Sequence, residues 1–298
     1  MSICGNFMGI RQSALQRLRK NSISAKEIAS QAWCEKQMEL YITTPMPQTF
    51  AMKKGTDFHE VQKSAVFVPL SVPPSTWPDR LYKTAYENYT SLSSLAEKGF
   101  CRELKLYGSI NGFKVSGQLD ELRIENGKVV VVEDKTVKGA DSISEARLRP
   151  DKIQASLYKK LLEDIRQERY TMANFSSSYS IDNMPISKEF AEGLESIGIK
   201  KELQTTKEMY RKMFDAMLNI PEISESVEIR YFARETKELV SNVKVTYDEP
   251  MLSSWLKDSM LYWSGEREAK PVAESEKWKC NSCRFFGKEC TAWSGKVS

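Results

Sequence analysis

The sequence predicts an α/β protein built on a mixed sheet. Three observations lead to that class. Stretches with helical apolar spacing alternate with strand-like runs along the chain. The strongest of those runs, the four valines of "ENGKVVVVEDKT" (125–136), follows an Asn-Gly pair, a preferred two-residue hairpin turn. Across 298 residues there is no internal repeat and no low-complexity tract, and the linkers are too short to divide the chain, so one domain is expected over 1–298.

Taken in order, residues 24–42 read as a helix that Ser24 caps, with Ile28, Ala32 and Trp33 on one side. Residues 48–66 read as a second helix, which carries His59, the only histidine. "VPLSVPPSTWP" (68–78) is a proline-rich break. Residues 80–98 form a helix or an irregular crossing segment. Strands are expected over 101–109, 113–124 and 128–136, then a helix from Pro150, a favoured first-turn residue, to about Arg169. "SSSYSIDNMP" reads as loop and 187–219 as largely helical, which makes 170–222 a helical elaboration. Two strands at 227–234 and 238–248, a helix at 250–263 and a cysteine-bearing loop complete the chain.

Composition is that of a soluble globular protein, 41% hydrophobic and 28% charged, and no run approaches the ~18 apolar residues of a membrane span. An intracellular location is expected. The segment before Glu27 has several basic and no acidic residues, a composition shared with mitochondrial transit segments. A net charge of +4 permits a nucleic-acid partner without requiring one.

The Asn126-Gly127 turn sets a register. Glu125 then pairs with Lys128, Ile124 with Val129, Leu122 with Val131, and Asp120 with Glu133. Opposed residues share a face with Cβ atoms roughly 5 Å apart, and Lys135 follows Glu133 on that face. Two facing carboxylates repel unless a cation sits between them. A hard divalent ion such as Mg²⁺ suits oxygen ligands, and Lys135 beside it can hold a water or offset developing negative charge. The ordinary alternative is a solvated hairpin with Lys135 bridging its carboxylates. The valine run counts against it, because such strands are covered.

Six cysteines are present, at 4, 34, 101, 280, 283 and 290, three of them within "CNSCRFFGKEC". In a reducing compartment that clustering points to metal before disulfide. Cys280-x2-Cys283 is a normal zinc spacing, and an iron–sulfur cluster also takes four cysteines, so spacing leaves both open. Cys4 and Cys101 have no evident partners.

"GQLDELRI…VVVVEDKT" has the D-(x)n-E-x-K form of the PD-(D/E)xK nucleases, and "GTDFHE" resembles the G-x-x-x-H motif of their RecB-type branch. "QASLY" matches its Q-x-x-x-Y motif. One cysteine upstream and three at the end resemble the iron–sulfur subset, and residues 23–41 and 262–290 resemble the two ends of the exonuclease V family. The resemblance implies a restriction-endonuclease-like core and a metal-dependent exonuclease acting on single-stranded DNA, in repair or processing. It implies a [4Fe–4S] cluster on Cys34, Cys280, Cys283 and Cys290, with zinc as the lesser candidate; either would tie residue 34 to residue 280 and act mainly as a clasp of segments 30–40 and 278–292. Carried over by motif, His59, Asp120 and Glu133 hold Mg²⁺ or Mn²⁺, Asp134 adds its backbone carbonyl, and Lys135 is the catalytic lysine. Imidazole suits Mn²⁺ better than Mg²⁺. Gln154 and Tyr158, on one helix face, bind phosphate or stack a base, or else Tyr158 packs beside Leu157 and Leu161. Arg267 in "SGERE" contacts DNA or its acidic neighbours. A single-strand-binding protein is a candidate companion. Location follows the host: cytoplasmic in a prokaryote, nuclear or mitochondrial in a eukaryote. A CRISPR-associated adaptation nuclease, and a DNA-binding module with a vestigial site, are the alternatives.

Overall fold

The computed structural model describes residues 12–64 and 69–293; Cys4, the transit-like segment before Gln12 and the last two residues of the expected second helix lie outside them. Its helices are α1 (Ala14–Arg17), α2 (Ala25–Thr43), α3 (Phe50–Ser64), α4 (Trp77–Lys98), α5 (Glu145–Arg166), α6 (Met172–Tyr179), α7 (Lys188–Ser196), α8 (Thr206–Leu218) and α9 (Glu249–Ser264). The strands are β1 (Ile23–Ser24), β2 (Phe100–Ile110), β3 (Phe113–Glu125), β4 (Lys128–Val137), β5 (Ile223–Ala233) and β6 (Leu239–Thr246).

All six strands form one mixed sheet. β2, β3 and β4 make an antiparallel meander, β5 joins β4 in parallel, and β6 closes that edge antiparallel to β5. Both turns of the meander are Asn-Gly pairs with left-handed backbone: Asn111-Gly112 at φ 48° and 80°, Asn126-Gly127 at 51° and 76°. The second turn sets the expected register, since Glu121 through Glu125 pair with Val132 through Lys128. Along the same edge, β3 gives up β4 after Glu121 and takes up β1 in parallel at Ser116. That edge therefore forks, and Asp120 sits in the fork.

Local signals account for the helix starts. Ser24 with Glu27 and Thr76 with Asp79 form capping boxes that satisfy orphan amides at α2 and α4. The helix expected from Pro150 starts earlier, at Glu145, because Ser144 caps it, and Pro150 lies inside α5. The 187–219 stretch is two helices, α7 and α8, and the expected loop at 176–185 begins with the end of α6. In the tail, residues Glu274–Ser282 wind into 3₁₀ turns.

α5 lies across the sheet and buries Ile153, Leu157, Leu161 and Ile165, each contributing roughly 1.5–3 kcal/mol. Gly117 of β3 is needed there: a Cβ would stand 2.3 Å from the Tyr158 ring. No helix among the described residues is long and apolar enough to cross a membrane.

Candidate active site

The fork in the sheet collects the charges that the hairpin expels from its apolar run. Asp120, at the end of its pairing with β4, is buried, and one carboxylate oxygen accepts the Asp134 amide at 2.7 Å. Glu133 on β4 is 2% exposed. Lys135 Nζ donates to Glu133 Oε1 at 2.6 Å and to Gln154 Oε1 at 2.9 Å. Gln154, on α5, donates to the same Glu133 oxygen at 2.7 Å and to the Tyr158 hydroxyl at 3.1 Å. The strand and the helix thus lock the lysine in place.

α3 brings His59 over this group. Its Nδ1 lies 3.3 Å from Asp120 Oδ1 and 3.8 Å from Glu103 Oε1. Gly55, one helical turn earlier, faces Thr136 of β4.

Burial without enough positive charge sets the electrostatics. It pushes the Asp120 carboxyl up to about 7, with the Asp134 charge adding to it, and Glu133 to about 8, with Asp120 adding to it. His59 is pushed down, chiefly by burial. Lys135 is raised despite its burial, because Glu133, Asp151 and Asp120 surround it.

Behind the site the sheet carries a second layer of charge. Asp134 points there, and Arg102 and Arg230 grip its carboxylate together with that of Glu121. Its side chain is committed to two guanidiniums, and its backbone, the part expected at the metal, faces Asp120. Tyr158 needs a correction. It is 2% exposed, packed on Gly117, with its hydroxyl taken by Gln154 and the Gln118 backbone. No ring face is open to a base, so its place is structural. Gln154 is buried as well and spends its amide on Glu133, Lys135 and Tyr158 rather than on a surface.

Glu103 went unread in the sequence. Leu104 and Leu106 are the inward residues of β2, so alternation casts Glu103 outward with Lys105. Its backbone is instead left-handed, φ 58°, costing on the order of 1 kcal/mol for a residue with a Cβ. The β2–β3 ladder pairs Arg102 with Glu121 and Leu104 with Leu119, skipping Glu103, which stands level with Asp120. Its side chain is held by Gln118 at 2.7 Å, and burial raises its carboxyl to about 7. Donor atoms of His59, Glu103 and Asp120 all lie within 4.8 Å of one another.

A groove of about 680 Å³ runs from this cluster between α2 and α5, lined by Lys26, Lys135, Arg147, Gln154 and Arg284. At its far end lies the cysteine region. Cys34 falls at a break inside α2, where the backbone is extended (φ −167°, ψ 112°). The break frees the Lys36 amide for the Lys270 carbonyl and turns Cys34 toward the tail. Cys34, Cys280, Cys283 and Cys290 line one small apolar cavity with Trp33 and Phe286, and none forms a disulfide. Cys101 is buried elsewhere, in β2. Arg267 forms no ion pair with the side chains of Glu266 and Glu268. Its guanidinium grips the buried Glu35 of α2, and Asp258 at 3.3 Å.

Comparisons with known proteins bear on this arrangement. A family model described as "Exonuclease V - a 5' deoxyribonuclease" matches residues 13–129, 125–219 and 199–293. An Exonuclease V from Danio rerio is 23% identical over 285 residues, which cover 92% of this chain and 71% of that protein. Among solved structures, one described as a "putative exonuclease" from Eubacterium rectale covers 93% of each chain at 10% identity, with a TM-score of 0.40.

Proposed function

The chain belongs to the exonuclease V family and is a deoxyribonuclease with exonuclease activity; on that premise we propose that it is a metal-dependent enzyme that degrades single-stranded DNA from a 5′ end. We read the meander, fork and α5 as the PD-(D/E)xK core. The observation that carries the reading is the convergence of Asp120, Glu133 and Lys135 at the fork, with Lys135 fixed by Glu133 and Gln154.

The donor set fits a hard divalent cation. Glu103 Oε1 and Glu133 Oε2 are buried and have no hydrogen-bond partner among the described residues. Asp120, Glu133 and His59 would hold the ion, and one carboxylate-rich position of this kind suits Mg²⁺ or Mn²⁺. Such an ion polarises a phosphoryl oxygen and makes a bound water acidic.

The chain's own groups do the rest. Lys135 keeps its proton, so it offsets charge that builds on the phosphate and orients the attacking water through its N–H groups. Gln154 holds that ammonium against Glu133 and fixes its direction. Asp120 is held by the Asp134 amide and Glu133 by Gln154, and each keeps one carboxylate oxygen outside those bonds. Lys26, Arg147 and Arg284 line the adjoining groove, which supports a path for a polyanion.

The cysteine region offers four thiols around one small apolar cavity. That donor set suits a [4Fe–4S] cluster, which would serve as a clasp between α2 and the tail; a single zinc would use the same four thiols.

The test is cleavage of 5′-labelled and 5′-blocked single strands and duplexes by cluster-loaded protein, with Mg²⁺ or with chelator. Mg²⁺-dependent digestion of free-ended single strands is expected. Equal cleavage in chelator would remove the metal, and equal cleavage of duplex would remove the strand preference. Iron and sulfide analysis of anaerobically purified protein tests the clasp; a colourless, zinc-loaded preparation overturns it.

A further inference from the structure

We propose that Glu103 is a metal ligand and that, with Asp120 and His59, it forms a second divalent-cation position beside the Asp120–Glu133 pair. The proposal rests on the metal-dependent reading above and adds a residue that no motif in the sequence marks.

Three adjacent strands each place one carboxylate at the same level. Glu103 of β2 stands level with Asp120 of β3, because the neighbouring pairs are Arg102 with Glu121 and Leu104 with Leu119. Glu133 of β4 stands beside Asp120 on the other side, continuing the Glu121–Val132 register. The imidazole is not central to the row. Its Nδ1 sits over the Glu103–Asp120 half, at 3.8 and 3.3 Å. The compact three-donor group is therefore His59, Glu103 and Asp120, and Glu133 is outside it.

Two further observations point to a ligand. Glu133, with a side chain only 3% exposed, leaves Oε2 without a partner, and Glu103 Oε1 is likewise unpartnered. Glu103 is also the one non-glycine residue of β2 with left-handed backbone, a conformation that sheets do not supply and that turns the side chain toward Asp120. Gln118 fixes its other oxygen and leaves Oε1 available. Lys63 puts a positive charge near Glu103, yet Oε1 accepts no hydrogen bond. A cation shared through Asp120 would offset the charge of the whole row. Two positions that share a carboxylate suit phosphodiester hydrolysis, where the attacking and leaving oxygens both need charge stabilisation.

The test counts Mn²⁺ bound to the full, cluster-loaded chain by electron paramagnetic resonance and calorimetry, without DNA. Wild type should bind two ions per chain. Glu103→Gln, which keeps the shape and the Gln118 contact, should bind one. Metal-free melting should be unchanged or higher in that variant. A Glu103→Gln count and affinity equal to those of wild type overturn the proposal while leaving the metal-dependent reading intact. A wild type that binds no Mn²⁺ overturns both.

Discussion

The active site and the cysteine clasp both gather ligands for a metal, yet they are built on opposite plans. At the active site every ligand leaves a regular element, and the chain bonds the side chains to one another before any ion arrives: Asp120 to the Asp134 amide, Glu133 and Lys135 to Gln154, Gln154 to Tyr158. In the clasp the four thiols come from a break in α2, from the 3₁₀ turns that hold Cys280, and from the irregular tail beyond them, and they accept little. Cys34 receives the Gln37 amide at 3.4 Å and Cys283 the Gln37 side chain at 3.2 Å. Burial raises Cys34 and keeps it a neutral thiol. A site framed by a sheet keeps its shape without metal and pays for that in repelling carboxylates. A site framed by a tail depends on what it binds.

The sharpest way to break this comparison is at Lys135. Lys135→Ala should lower cleavage of labelled single strands by at least ~10³-fold, with binding by fluorescence anisotropy and melting temperature nearly unchanged. A large melting loss would mean that the lysine holds the sheet together. On the other side, Cys283→Ser should abolish iron and sulfide content and lower melting by several degrees. It should also expose the tail after Gly265 to limited proteolysis, while Mn²⁺ binding at the fork stays within about twofold. Loss of Mn²⁺ binding would make the two regions one unit.

Arg267→Ala refines the picture, because it tests how much of the clasp is held without any group in it. Glu35 is 5% exposed, so stranding it should cost about 3 kcal/mol, read by chemical denaturation. Gln154→Ala should slow cleavage by roughly 10- to 100-fold with little change in DNA affinity, since its amide is engaged by Lys135, Glu133 and Tyr158. A proportionate loss of affinity would restore it to the DNA-contact role.

The smallest effect concerns pH. The folded values of about 7 for Asp120 and about 8 for Glu133 lie above those of the unfolded chain, near 4. Between those limits the folded state binds more protons, so metal-free stability should fall as pH rises from about 4 to 8 and level off above it. Melting temperature in chelator should drop by a few degrees across that range, and Asp120→Asn should flatten the slope. Added Mn²⁺ should reverse it, because the ion needs the deprotonated carboxylates. A rise in stability with pH in the wild type would contradict the burial.

Much of this molecule was legible before folding because its signals are local. Asn126-Gly127 dictates the hairpin, the hairpin dictates that Asp120 and Glu133 are neighbours, and alternation places Lys135 beside them. Ser24 and Glu27 mark the start of α2 in the same way. What only the tertiary structure decided involves segments far apart in the chain or backbone that departs from its element. Glu103 turns inward through one left-handed residue that no pattern announces, and the break at Cys34 interrupts a stretch that reads as continuous helix. Arg267, flanked by acids, prefers Glu35 across the fold, and Tyr158 loses its access to ligands when α5 settles on Gly117. Turns and periodicity are encoded within a few residues. Which polar group is buried, and against which partner, is fixed only when remote elements pack and remove water from between them.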